Sequence, residues 1–319
     1  MPSHSSATIE VHPCDAALGA EIRCGDLRTA TDDQIAQIRN AWLAHLVVVV
    51  RAQSLSDAEL IAFGRRFGDL QRSNPLPDPR VSAGGGLKQG GRDDRFPEVT
   101  VVSNIVENGI AIGGLGDGEL VWHTDMSSYV APPNQTILYA LEVTASGGET
   151  GFVNMYAAWD ELPSTLRAQA VGLSLKHDAT IDAAGYPRRG HDHSLDVTRS
   201  AGAAHPLVRT HPETCRNCLY LGRRSKSYLV GLEVPHSEAL LDRLWAHSTQ
   251  DRFTWHHHWH AGDVLMWDNR VVMHRRNAFD AMARRLLHRV VVQGTKPYNN
   301  GYEIEPHPRA ARRARIEGA

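Results

Sequence analysis

The 319-residue chain is long enough for one large domain or two small ones, and its 42% hydrophobic content supports a sizeable core. Lys and Arg number 34 against 36 Asp and Glu, a formal charge of −2, so composition gives no electrostatic case for nucleic acid as a partner. Four cysteines are too few for a disulfide-built scaffold, no apolar run approaches a membrane span, and Met1 to Thr8 lacks a signal-peptide core; these features predict a soluble, cytoplasmic protein with no membrane partner.

In chain order, residues 31–45 read as a helix, with Thr31 and Gln34 as a capping box and Ile35, Ile38 and Trp42 on one face. Leu46 to Val50 is short, apolar and β-branched, as a buried strand should be. A second helix is predicted from Asp57 to Phe67, capped by Ser56 and Glu59. Residues 74–96 carry three prolines and runs of glycine, which predicts a long loop, either a lid over a site or an insertion without a role.

From Val99 onward the pattern is mostly strands: 99–104, 119–125, 135–144, 151–154, 218–221, 253–259, 263–268, 270–274 and 285–294. Helices are predicted at 157–171 and 237–247, and residues 309–319 read as a flexible, Arg-rich tail. Many short strands with Gly and Pro turns give a mainly β fold with flanking helices, a sandwich or jelly roll in a single catalytic domain. Cys215 and Cys218 read as a turn with incidental thiols, since no second close pair completes a zinc site. The run His256-His257-His258-Trp259-His260 reads as a strand whose side chains alternate between two faces, which argues against a zinc hydrolase. No Gly-X-Ser-X-Gly elbow is present.

The most informative segment is Val121-Trp122-His123-Thr124-Asp125-Met126. On a strand His123 and Asp125 share a face about 7 Å apart at Cα, so both side chains can reach one ion. A third ligand would complete a two-histidine, one-carboxylate facial triad, which leaves positions open on an octahedral iron. Near the C-terminus His274 ends an apolar stretch, and Arg285 and Arg289 follow at an even separation on the next strand. Two arginines facing inward from an apolar strand are costly without anions to bind, and a guanidinium–carboxylate pair is the natural solution. A non-catalytic metal-binding β-sandwich would keep the histidines and need no such pair.

Taken together, His123-Thr124-Asp125, Gly147-Gly148-Glu149-Thr150, His274, Arg285 eleven residues later and Arg289 four further on resemble the TauD/TfdA family of 2-oxoglutarate-dependent dioxygenases. The resemblance runs over about residues 10–300 and includes Leu18-Gly19-Ala20-Glu21-Ile22 and Phe63-Gly64-Arg65-Arg66-Phe67-Gly68. It implies a double-stranded β-helix (cupin-like jelly-roll) core and hydroxylation dependent on Fe(II), 2-oxoglutarate and O2. It implies that His123, Asp125 and His274 ligate Fe(II), that Thr150 and Arg285 hold the distal carboxylate of 2-oxoglutarate, and that Arg289 faces the substrate or reinforces the cosubstrate site. Trp267 and Asn269 would line or brace the pocket, and Ser103, Asn104, Met126 and Tyr129 are further pocket candidates.

The substrate implied is a small organic anion. The loop Gln71-Arg72-Ser73-Asn74 lacks the histidine of the taurine enzymes, whereas His205-Pro206-Leu207-Val208-Arg209-Thr210-His211-Pro212 and the text after His274 are similar to the aryloxyalkanoate (2,4-D type) branch, which cleaves an ether. Sulfonates, alkyl sulfates and amino-acid derivatives are the other substrate classes in view. Family members are commonly homo-oligomers, dimers or tetramers.

Overall fold

The computed structural model describes residues 8–72, 95–188 and 196–301. The predicted loop at 74–96 therefore falls almost wholly outside the described residues, as does the tail at 309–319. Two β-sheets carry the architecture. The larger has eight strands in the order Glu10–Pro13, Ala20–Arg23, Val47–Val50, Val264–Asp268, Gln135–Glu142, Leu286–Val292, Thr100–Ser103 and Gly114–Leu115. The smaller has four: Thr254–His257, Thr150–Asn154, Val272–Arg276 and Leu120–His123.

Period-two alternation on the large sheet sorts its apolar residues into two cores. Val47, Val49, Leu138, Ala140, Leu265, Trp267 and Leu287 point inward and pack in one cluster with Phe152 and Val153 of the small sheet. Val48, Val50, Ile137, Tyr139, Val264, Met266, Val290 and Val292 point outward, beneath Ile35, Ile38 and Trp42 of helix Asp32–His45 and Leu60 and Phe63 of helix Asp57–Arg65. This is the jelly-roll core, with two helices as its cover. Both helices begin with the expected reciprocal capping box, Thr31 with Gln34 and Ser56 with Glu59.

Several boundaries differ from expectation, each for a local reason. The helix predicted at 157–171 is two, Met155–Asp160 and Ser164–Ala170. Pro163 separates them, because proline disfavours a helical residue before it. The second predicted helix stops at Arg65, and the one predicted at 237–247 is longer, Val234–Ser248, with Pro235 in its first turn. The strand predicted at 253–259 runs only from Thr254 to His257. Small sheets involving Ser174–Lys176, Ala204–Pro206, Val208–Thr210 and Tyr228–Leu229 lie where no strand is predicted. Their three-residue or shorter length gives too little alternation to detect.

Cys215 sits exposed at positive φ in the turn between strands Val208–Thr210 and Asn217–Leu219. Cys218 is buried, its Sγ directed at the Arg270 carbonyl. The two thiols thus have separate environments, in keeping with a turn rather than a metal or redox motif.

Candidate active site

His123, Asp125 and His274 converge in the interior, each offering a ligand atom within 4.8 Å of the others. Register explains the two histidines: His274 lies directly opposite His123 on neighbouring antiparallel strands, and their ring centroids are 4.1 Å apart. Asp125 arrives differently from the expectation. The strand ends at His123, so Asp125 belongs to the following turn and strand alternation does not aim it. Asn269 does so instead. Its side-chain oxygen accepts from the Asp125 N–H at 2.9 Å, and its amide donates to the carbonyls of Asp125 at 3.0 Å and Pro133 at 3.1 Å.

Surrounding groups fix each side chain of the cluster. Nδ1 of His123 meets the Val121 carbonyl at 2.7 Å, which as a donor leaves Nε2 with its lone pair toward the cluster. The Thr136 hydroxyl donates to Oδ2 of Asp125 at 3.1 Å, and Oδ1 faces Nε2 of His123 at 3.7 Å and of His274 at 3.9 Å. Trp267, fully buried, lies 4.7 Å from the His274 ring and 5.6 Å from Phe152, so it braces that imidazole from behind.

Burial alone would push the Asp125 carboxyl up. His274, the Arg289 guanidinium 3.7 Å from Oδ1, and His123 outweigh it and hold the carboxyl well below the usual range. Burial, then His123, pushes His274 down to about 3, so its imidazole is neutral near pH 7. An ionised carboxylate beside a neutral imidazole is the donor form that a divalent transition metal requires. The Nδ1 of His274 is buried without a partner. The residues present fit such an ion.

A second cluster lies beside the first. Arg285, Leu287 and Arg289 share the inner face of the large sheet, with Arg285 just before strand Leu286–Val292. Arg285 is buried, and its guanidinium carbon is 5.7 Å from the Phe279 ring and 5.9 Å from Trp259. Burial, then Arg276, pushes it down to about 9. The Thr150 hydroxyl accepts from Nε1 of Trp259 at 3.0 Å, so its own proton is free to be donated. The Gly147-Gly148 turn closes this end: a Cβ on Gly147, at φ +74°, would meet the Ala278 carbonyl at 2.8 Å.

Comparison with known proteins agrees with this arrangement. The family model described as "Taurine catabolism dioxygenase TauD, TfdA family" matches residues 10–291. The chain belongs to the TauD/TfdA family. It is 34% identical over 292 residues to an alpha-ketoglutarate-dependent 2,4-dichlorophenoxyacetate dioxygenase of Cupriavidus pinatubonensis, covering 88% of this chain and 94% of that one. It is 30% identical over 296 residues to an (S)-phenoxypropionate/alpha-ketoglutarate-dioxygenase of Sphingobium herbicidovorans, covering 88% and 94%. A solved taurine dioxygenase from Burkholderia xenovorans superposes with a TM-score of 0.73 at 31% identity, over 95% of this chain and 96% of the other. The protein is therefore a 2-oxoglutarate-dependent dioxygenase of the Fe(II)- and O2-using kind.

Within this TauD/TfdA enzyme the remaining candidates divide. Met126, at φ +51°, and Tyr129 line a cavity of about 40 Å³ with Gln71, Arg72, Thr100 and Val291. Asn104 uses its side chain elsewhere: it donates to the carbonyls of Ala281 and Ala283 and accepts from the Arg285 N–H. It holds the segment that delivers Arg285. Ser103 is buried, with its hydroxyl accepting from the Ile105 N–H.

Trp259 is a contact that sequence reasoning missed, because the histidine run around it reads as one continuous strand. His257 is buried against Asp263, whereas His258 and His260 are exposed. Among the described residues no helix is long and apolar enough to cross a membrane.

Proposed function

We propose that His123, Asp125 and His274 hold Fe(II), that Thr150 and Arg285 receive the distal carboxylate of 2-oxoglutarate, and that Arg289 binds the anionic group of a small aryloxyalkanoate-like carboxylate, which the enzyme hydroxylates. The observation that carries the substrate half is Arg289. Its Nη1 lies 3.7 Å from Oδ1 of Asp125, and its Nε is buried without a partner. One face of the guanidinium thus serves the ligand carboxylate while its Nε remains available to a second anion.

When bound, the iron supplies activation of O2, so that one oxygen atom enters a substrate C–H bond while 2-oxoglutarate becomes succinate and CO2. The chain's residues bind and orient. Thr150 turns its proton toward the cosubstrate because its oxygen is engaged by Trp259. Arg285 offers a fork to the same carboxylate. Phe152 and Trp267 keep water from the histidine side. If the hydroxylated carbon carries an ether oxygen, the resulting hemiacetal collapses: its hydroxyl proton passes, directly or through water, to the departing aryloxide, whose C–O bond breaks with the electron pair on oxygen, and a carbonyl forms on the carbon. The relatives named for phenoxyacetate and phenoxypropionate substrates support this choice of substrate class.

The test is succinate release by the Fe(II)-loaded enzyme over aryloxyalkanoates, sulfonates, alkyl sulfates and amino-acid derivatives. Aryloxyalkanoates are expected to give the highest kcat/KM, and Arg289→Gln to raise KM for them by about tenfold or more. A sulfonate or sulfate ester as the best substrate would overturn the carboxylate assignment. Asp125→Ala is expected to abolish substrate-coupled succinate formation, and near-native turnover by that variant would sink the metal assignment.

A further inference from the structure

Arg276 is a buried cation outside the proposed metal, cosubstrate and substrate residues. It sits two residues after His274 on strand Val272–Arg276, and its register partner is Thr150. His274 pairs with Phe152 in the same ladder. Arg276 and Thr150 therefore leave the small sheet on the face that carries His274. Arg285, just before strand Leu286–Val292 of the large sheet, stands near Arg276, both guanidinium groups lying against Phe279.

Arg276 is buried at 3% exposure. Its Nη2 donates to the carbonyls of Leu115 and Gly118, while Nε and Nη1 are buried without a partner. Among the described residues no carboxylate forms an ion pair with Arg276 or Arg285, and Asp117 is the acid whose field reaches Arg276. The guanidinium carbon of Arg276 is 5.2 Å from the Phe279 ring centroid, and that of Arg285 is 5.7 Å from the same ring. Two buried cations thus share one aromatic wall beside the Thr150 hydroxyl. Such a pair repels itself and is desolvated, which is costly unless an anion is recruited between or beside them. A single carboxylate with four lone-pair sites can serve two guanidinium groups and a hydroxyl together.

We propose that Arg276 is a second cation of the site for the distal carboxylate of 2-oxoglutarate, and that it sets the enzyme's preference for a dicarboxylic over a monocarboxylic 2-oxo acid. This rests on the assignment of Thr150 and Arg285 to that carboxylate. The plainer role, anchoring the 115–118 loop through Nη2, predicts no dependence on the distal charge.

The experiment is anaerobic calorimetric titration of the Fe(II)-loaded enzyme with 2-oxoglutarate and with 2-oxopentanoate, which has the same carbon chain and chelating end and lacks the distal carboxylate. Arg276→Gln is expected to weaken 2-oxoglutarate by about tenfold and to leave 2-oxopentanoate within about twofold. Arg276→Lys keeps the charge without the fork, so its discrimination should fall by about threefold; it also serves if Arg276→Gln does not fold. Equal weakening of both ligands, or an unchanged ratio in both variants, overturns the proposal. Arg285→Gln is the control for the underlying assignment. If that variant keeps full discrimination the distal-carboxylate site itself lies elsewhere, whereas loss in Arg285→Gln alone rejects Arg276 only.

Discussion

At the scale of single residues, environment decides what each group does. Cys218 and Cys215 are three positions apart and chemically unlike. Burial pushes the Cys218 thiol up to about 12, and Cys215 is exposed. Since the thiolate is the reactive form, iodoacetamide at pH 8.5 should label Cys215 and leave Cys218 unmodified until the protein unfolds, as read by mass spectrometry. Three side-chain hydrogen bonds of Asn269, two to the Asp125 backbone and one to the Pro133 carbonyl, fix the turn that holds Asp125. Asn269→Ala orphans buried backbone groups and should cost about 1–3 kcal/mol of stability. It should also weaken Fe(II) binding measurably in a chelator competition, and Asn269→Asp should be no milder, since it keeps the acceptor for the Asp125 N–H but sets a buried carboxylate oxygen against the carbonyls of Asp125 and Pro133.

Individual elements show what the sequence could and could not disclose. The capping boxes at Thr31 and Ser56 were legible because they are local: side chain and backbone partner lie three residues apart. Thr31→Ala should therefore cost about 1 kcal/mol in urea unfolding without altering turnover. Arg285 and Arg289 were legible because strand parity survives at that position, despite the register shift near Leu286. Asp125 was found by its residue type and its neighbours, but for a reason that did not hold, since the strand stops short of it. The hydrogen bond that replaces strand alternation spans 144 positions, from Asn269 to Asp125, and no local pattern encodes it. Trp259 and Arg276 escaped for the same cause: each is placed beside a residue far away in sequence, Thr150, by a hydrogen bond for Trp259 and by strand register for Arg276. Pro163 is a local signal, and it divides the 157–171 segment into two helices.

At the scale of the whole molecule, a buried polar network ties the strand pair Val208–Thr210 and Asn217–Leu219 to the large sheet. Asp268, wholly buried, accepts from Nε and Nη2 of Arg270 at 2.7 Å each and lies 3.0 Å from Nε2 of His211. Burial opposes its ionisation, but Arg270 and His211 hold the carboxyl well below the usual range. A carboxyl depressed in the folded state adds stability that is full above its unfolded value, about pH 4, and lost as pH falls through the folded one. Asp268→Asn leaves Arg270 without its main partner and should destabilise by about 3 kcal/mol at pH 7. Urea midpoints should show the gap to wild type narrowing below about pH 4.

The strand order of the large sheet has a consequence for how the protein is made. Gln135–Glu142 lies between Val264–Asp268 and Leu286–Val292, both of which leave the ribosome long after it. At about 5–20 residues per second, that strand waits on the order of 10 s with neither neighbour yet synthesised. Its sequence, QTILYALE, carries no charge until its last residue. The nascent chain is therefore a ready client for a holding chaperone during that interval, and His123 and Asp125 cannot meet His274 until strand Val272–Arg276 has followed.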